Sequence, residues 1–498
     1  MKQFQSVVLA GFMLSGGLIM PSLVLAGDDF ANWQRQMTQS DDFASWQRQM
    51  NQDFQTFKDE RDREFTTFLK AHWREMRLLY GVVRDKTPKP RVAPKVKPKP
   101  QSRPKPTPQL PRVRPPVVPR PPKPSPARVI LPKGTPIKAA FYGHQLPFRI
   151  DPAFEARLGY TINKQAISDY WAKLSRADYE PLLKQLKAQR RALQLNDWAY
   201  LLMLHQLAKQ IHPNRHNEQT LLTWFILIKN GYRARIAYDE QRISLFMPTK
   251  QQLYAVSYFT FDGIRYYVLP LDGSRQQKLG QVSTYDSDYP GATKPLDMRV
   301  ETAVVTRPNI GTKDLTFRYK RKSYRIKIKY DRQTVAFFRT YPQMDIGMYF
   351  LSTVHPETRK QLLEQFKPLV TGKSELDAVN LLLRFVQTAF EYKLDKDQFG
   401  EENYLFSEET LFYPYSDCED RSVLFAWLVR NLLKLEVVGL DYPGHIATAV
   451  HFNGQVRGDT FIYQGKRYAV TDPTFINADA GMSMPQHQNT NPGIIPIL

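Results

Sequence analysis

The chain has 498 residues, a single cysteine, and 70 Lys and Arg against 48 Asp and Glu, for a formal net charge of +22. The length allows roughly two or three domains, and one cysteine excludes a disulfide framework. The charge would suit a nucleic-acid binder, but much of it sits in one proline-rich stretch behind what reads as an export signal, so nucleic acid is not expected as a partner.

Lys2 precedes an apolar run from Val7 to Leu25, and Val24-Leu25-Ala26 has the small-residue pattern of a cleavage site. Residues 1–26 therefore read as a signal peptide leading to a periplasm, with an uncleaved anchor as the rival reading. Residues 27–85 hold a short repeat, DDFANWQRQM from Asp28 and DDFASWQRQM from Asp41. Phe43, Trp46, Met50, Phe54 and Phe57, then Phe65, Phe68 and Leu69, recur at three- and four-residue spacing on a polar background, which predicts an amphipathic helix or coiled coil. Such a helix makes no core alone, so it is expected to dock, by self-association through residues 28–80 or on an envelope partner. In residues 86–136 proline recurs every two or three positions among Lys and Arg. Proline fixes φ and removes backbone donors, which predicts a disordered, extended linker reaching on the order of 150 Å. Its charge suits an anionic envelope polymer. On this reading a chain starting near Thr135 folds by itself.

The remainder reads as two related regions, 137–297 and 346–498, joined by a β-rich connector, 298–345. In the connector Tyr324, Ile326, Ile328 and Tyr330 alternate with basic residues, the pattern of a half-exposed strand. CEDRSVLFAWLVRNLLKLEVVGLDY from Cys418 matches HNEQTLLTWFILIKNGYRARIAYDE from His216, and YQGKRYAVTDPT from Tyr463 matches FDGIRYYVLPLD from Phe261 at the same offset of 202. DAVNLLLRF from Asp377 matches DWAYLLMLH from Asp197 at an offset of 180. The 22-residue difference is one insertion between Tyr392 and Cys418, whose acidic residues and aromatics suit a lid or substrate-binding loop. Each unit reads as a helix start, a helix, a break and β-type runs, a duplicated α+β unit.

Cys418 opens a helix, and Ser416 with Glu419 has the form of a capping box, which puts the thiol where helix-end N–H groups favour a thiolate. His445 follows a Pro-Gly break at the start of a strand, and Asp472 ends another strand in TDPT. Nucleophile, base and a carboxylate fixing the imidazole are the parts that acyl transfer through a thiol needs. His451 is the rival base, and Tyr413 or Tyr415 could supply the second oxyanion donor. The first copy carries His216, Ile243 and Pro270 at the three positions and is expected to be non-catalytic.

Residues 374–476 resemble the transglutaminase-like core, a fold shared with papain-like thiol peptidases and peptide amidases: a Cys opening a helix, a His beginning a strand, then an Asp before Pro-Thr. The chain departs from many members at Ser416, where they have Gly, and at Ala447, where they have an aromatic. The resemblance implies an α+β fold with a papain-like Cys/His/Asp core, duplicated with a degenerate first copy. It implies catalysis by Cys418, His445 and Asp472 through a thioester, on peptide or side-chain amides of envelope proteins. Hydrolysis is the preferred outcome, amine crosslinking the alternative, and a non-catalytic scaffold or binding protein a third reading. No cofactor and no metal are expected.

Overall fold

A computed structural model describes residues 41–81, 89–96, 133–271 and 280–497. The signal, the first copy of the short repeat and most of the linker lie outside the described residues. The fold is mixed α+β, with a barrel-like sheet. Two compact units divide at Glu64 and Phe65. No helix among the described residues is long and apolar enough to cross a membrane.

The first unit contributes most of helix α1, Asp41–Ala71, strengthened by exposed i,i+4 bonds from Gln49 to Asp53 (2.8 Å) and from Gln55 to Asp59 (3.1 Å). Phe57 on its apolar stripe is 45% exposed. The side chains of Phe43, Trp46 and Phe54 lie outside the described residues.

In the second unit, strands β1 (Arg74–Arg77), β2 (Leu79–Tyr80) and the hairpin β3–β4 (Thr135–Phe141, His144–Ile150) precede helices α2 (Lys164–Ser175), α3 (Glu180–Ala192), α4 (Asp197–Ile211) and α5 (His216–Lys229). Strands β5 (Arg235–Tyr238), β6 (Ile243–Met247), β7 (Ser257–Phe261), β8 (Ile264–Val268) and β9 (Gln281–Thr284) follow. The connector forms the hairpin β10–β11 (Ile310–Tyr319, Lys322–Asp331), then α6 (Arg332–Phe338), α7 (Ile346–Phe350) and α8 (Pro356–Val370). Next come α9 (Glu375–Thr388), β12 (Glu391–Tyr392), α10 (Asp395–Phe399), α11 (Ser407–Phe412), β13 (Tyr415–Ser416) and α12 (Cys418–Leu432). The chain ends with β14 (Glu436–Tyr442), β15 (His445–His451), β16 (Thr460–Tyr463), β17 (Lys466–Thr471) and β18 (Gly493–Pro496).

The two halves repeat one order of elements. The strand order β9-β5-β6-β8-β7 of the first sheet is the order β18-β14-β15-β17-β16 of the second. Residues 418, 445 and 466, which open α12, β15 and β17, each stand 202 positions after the residues that open α5, β6 and β8. Even the caps correspond: Asn196 accepts from Ala199 N (2.9 Å) to start α4, and Ser374 from Asp377 N (3.2 Å) to start α9.

Residues 65–81 are not a detached docking helix. Phe65 and Leu69 are buried in the core, with the Phe65 ring edge-on to Trp171 (4.8 Å) and Tyr289 (5.2 Å). Beyond the helix, β1 pairs with β9 at one end of the first sheet and β2 with β7 at the other. One short stretch thus joins both edges and leaves neither open. At Gly81 a Cβ would come within 2.6 Å of Val256 O, so only glycine allows the approach. The linker reading also fails for residues 89–96: Val96 N donates to Ile476 O (2.9 Å), Ile476 N to Pro94 O (2.8 Å), and Ala93 is buried.

A chain starting near Thr135 therefore lacks the strands that close the first sheet, and is expected to be insoluble or to unfold well below the full chain's midpoint. Within the full chain, Phe65→Ala is expected to cost about 3–5 kcal/mol in urea unfolding, as a buried aromatic truncation does, whereas Phe57→Ala stays within about 0.5 kcal/mol, as a surface change does.

Candidate active site

Asp417 is the N-cap of α12, and Asp420 accepts from its backbone N–H (3.3 Å), so the capping residues are this pair rather than Ser416 and Glu419. Ser416 instead lies in β13 and accepts from Arg421 Nε (3.0 Å). Arg421 is buried, donates also to Phe390 O (2.9 Å) and Gln387 O (3.3 Å), and by burial is lowered to about 10. It locks the start of α12 to the end of α9.

The strand carrying His445 is registered to that helix by Ser422 Oγ, one turn after the cysteine, which donates to Ile446 O (3.1 Å). Between β14 and β15 the turn is only Pro443 and Gly444. Gly444 takes φ +69°, and the hairpin pairs Tyr442 with His445. Asp472 follows β17 and is held by its own motif. Proline has no N–H, and the next two amides, Thr474 N (2.9 Å) and Phe475 N (3.0 Å), donate to Asp472 Oδ1.

His445 Nε2 donates to Asp472 Oδ2 at 2.9 Å. That bond leaves the lone pair on Nδ1, a buried atom with no hydrogen-bond partner among the described residues. Burial works against the charged imidazole, but Asp472, then Glu419 and Asp417, outweigh it and raise the His445 pKa. Burial likewise opposes the Asp472 charge, and His445 with the two amides overcomes it, so that carboxyl titrates below its usual range. His487 stacks on the His445 ring at 5.3 Å. The rival His451 bonds through Nδ1 to Arg467 O (2.9 Å) and packs on Tyr468; Glu436, its partner across β14 and β15, accepts instead from Lys466 and Tyr468.

Cys418 is fully buried, and its Sγ donates to Glu419 Oε2 at 2.7 Å. Burial first, then Glu419 and Asp417, push the thiol well above its ordinary pKa. The expected thiolate is therefore not the resting form; burial, with the carboxylates beside it, outweighs the helix end.

Asp395, Glu402, Asp417 and Glu419 bring oxygens within 4.8 Å of one another, a donor set that could hold a divalent cation. The Lys89 ammonium takes that place: it contacts Glu402 and Glu419 and lies 2.9 Å from Asp417. Tyr392, whose hydroxyl donates to Pro90 O (2.8 Å), is pushed above its ordinary pKa by burial first and then by this acidic cluster. Of the suggested oxyanion donors, the Tyr413 ring packs on Phe399 and Phe412, while Lys393 Nζ lies over the Tyr415 ring. The insertion is packed rather than loose, with Phe406 stacked on Phe338 at 4.4 Å and Asp395 buried.

At the matching place in the first half there is an open cavity of about 750 Å³, lined by Lys209, Arg215, His216 and Arg242 among others. No family model, curated protein or solved structure matches the chain.

The pKa directions fix a pH window. The raised His445 stabilises the fold fully below its unfolded value of 6.5 and loses that contribution as pH rises through its folded value. The depressed Asp472 contributes above 3.8 and loses it as pH falls through its folded value. Both are fully present between pH 3.8 and 6.5. Asp472→Asn is expected to cost on the order of 3 kcal/mol there, the penalty for leaving a buried charge unpaired, with the difference from wild type shrinking outside that window in urea unfolding across pH.

Proposed function

We propose that the chain is a thiol enzyme acting on amide bonds, with a transglutaminase-like core in its second half. The observation that carries this reading is the buried His445–Asp472 pair, with Nδ1 left unpartnered on a strand bonded to the helix that Cys418 opens.

In the reaction Nδ1 takes the Cys418 proton, and Sγ attacks the amide carbonyl. The N–H groups of the helix start, that of Cys418 first, are the donors this mechanism assigns to the developing oxyanion. His445 returns the proton to the leaving amine as the C–N bond breaks, leaving a thioester. Water, deprotonated by Nδ1, hydrolyses the thioester and restores the thiol. Asp472 stays ionised, holding the imidazole and balancing its charge. Hydrolysis of exported or envelope peptides is the favoured outcome; a primary amine in place of water makes the protein a crosslinking enzyme. A scaffold that never uses its triad is supported by one observation, the bond from the thiol to Glu419.

A peptide library incubated with the full chain, as wild type and as Lys89→Gln, distinguishes these readings. New termini, or incorporation of a fluorescent primary amine, are expected with at least one of the two. Cys418→Ala or His445→Ala in the same background should abolish them, and Asp472→Asn should slow them on the order of 10⁴-fold. No turnover in either background, or turnover that survives Cys418→Ala, overturns the enzyme reading.

A further inference from the structure

Cys418, His445 and Asp472 are 0%, 3% and 2% exposed, so no substrate reaches them until something moves. One segment packed against the residues that flank them is 89–96, through Lys89 at Asp417 and Glu419 and Lys95 at Ile476. This segment bends at Arg91 and Val92 and then makes one parallel bridge, from Lys95 to Ile476, four residues past Asp472. Val96 packs on Phe475, Ala478 and Met484, and Tyr392 anchors Pro90 O. Backbone pairing together with a side chain in a pocket is a common way for peptides to be recognised.

The pocket is built around the nucleophile. Asp417 and Glu419 flank Cys418 in sequence, and Glu419 bonds the thiol through Oε2 while Oε1 contacts the Lys89 ammonium. A buried ammonium is costly unless paired, and this one has three carboxylates around it. Lys89 does not exhaust them: Asp417 Oδ1 is buried with no hydrogen-bond partner among the described residues, although the Asp417 side chain is fully enclosed. A guanidinium, with five donors in a fixed fork, could reach more of these oxygens than an ammonium.

We infer that the groove filled by residues 89–96 is a peptide-binding site that selects a basic side chain beside the nucleophile, and that Lys89 occupies it in cis. This rests on the reading of Cys418 as the nucleophile. The substrate is a peptide carrying Lys or Arg at the position Lys89 takes, and the chain's own segment competes with it. Lys89 is a ligand and not the acceptor of the acyl group. Asp417 and Glu419 outweigh the burial that opposes its charge, and a protonated amine has no lone pair to attack with.

The test uses the full chain and three thiol reagents: iodoacetamide, and the chloromethyl ketones of acetyl-lysine and acetyl-norleucine, which differ by the ammonium. Labelling of Cys418 is followed by mass spectrometry. In Lys89→Gln the lysine reagent is expected to react about tenfold faster than the norleucine reagent, as one charge-assisted contact allows, and faster than it does with wild type. Equal rates for the two reagents, with iodoacetamide still reacting, overturn the basic pocket and leave the nucleophile standing. A folded Lys89→Gln chain that none of the three reagents labels removes the nucleophile reading and this one with it. Glu402 is 28% exposed, so Glu402→Gln is a second variant that keeps Lys89. It is expected to label faster with iodoacetamide than wild type, and an unchanged rate overturns occupancy in cis.

Discussion

Asp417, Glu419 and Asp420 are buried at the start of α12 with Asp395 of α10 buried beside them, and the rest of the site depends on how that charge is balanced. Charged carboxylates this close cannot all persist in a dry interior without a cation. Part of the balance comes from protonation: burial and mutual repulsion raise Asp395, Asp417 and Asp420. Part comes from backbone donors, Leu405 N to Asp420 Oδ1 and Asn403 N to Asp395 Oδ2, both 2.9 Å. The rest is positive charge, from the buried Arg421 of the same helix start and from Lys89, brought from more than 300 residues away in sequence. The same two carboxylates, Glu419 and Asp417, raise both the thiol and the imidazole, and Lys89 opposes them at the thiol.

The elements of the site were legible in the chain because their signals are local. A polar start before an apolar helical run marked α12, Pro-Gly marked the turn before His445, and Asp-Pro-Thr marked a carboxylate fixed by its own following amides. The two copies supported each other, since one register of 202 relates helix, break and strands. The cap was misassigned by one residue because Ser416 and Asp417 are both good N-cap types, and only the backbone decides between them. Lys89 was invisible for a different reason. It is one basic residue in a run of Lys, Arg and Pro, and its partners lie on the insertion and at the helix start, a relation that no periodicity encodes. Strands β1 and β2 were missed because REMR and LY continue the composition of the preceding helix and form strands only by pairing with distant edges.

The two halves show how little of the fold the chemistry needs. In the second half Ser422 bonds the helix to the strand at Ile446; in the first, Asn217 Oδ1 accepts from Ile243 N (2.8 Å) and makes the same junction. The junction is what both copies keep. What differs is what stands over it. The first half lacks the 22-residue insertion, and its cleft is open, with Lys209, Arg215 and Arg242 along the walls. In the second half the insertion supplies Asp395 and Glu402, which complete the pocket around Lys89.

That contrast assigns the insertion a physical role distinct from a lid. Its aromatic side chains, Phe406 on Phe338 and Tyr341, are core residues that fix the backbone between them. A fixed backbone is required because Glu402, Asp417 and Glu419 must converge on one cation, and carboxylates on a mobile loop would separate to relieve their repulsion. The packing of the insertion therefore forces the acidic groups together, and their proximity in turn demands a positive occupant. In this structure a lysine of the chain itself meets that demand.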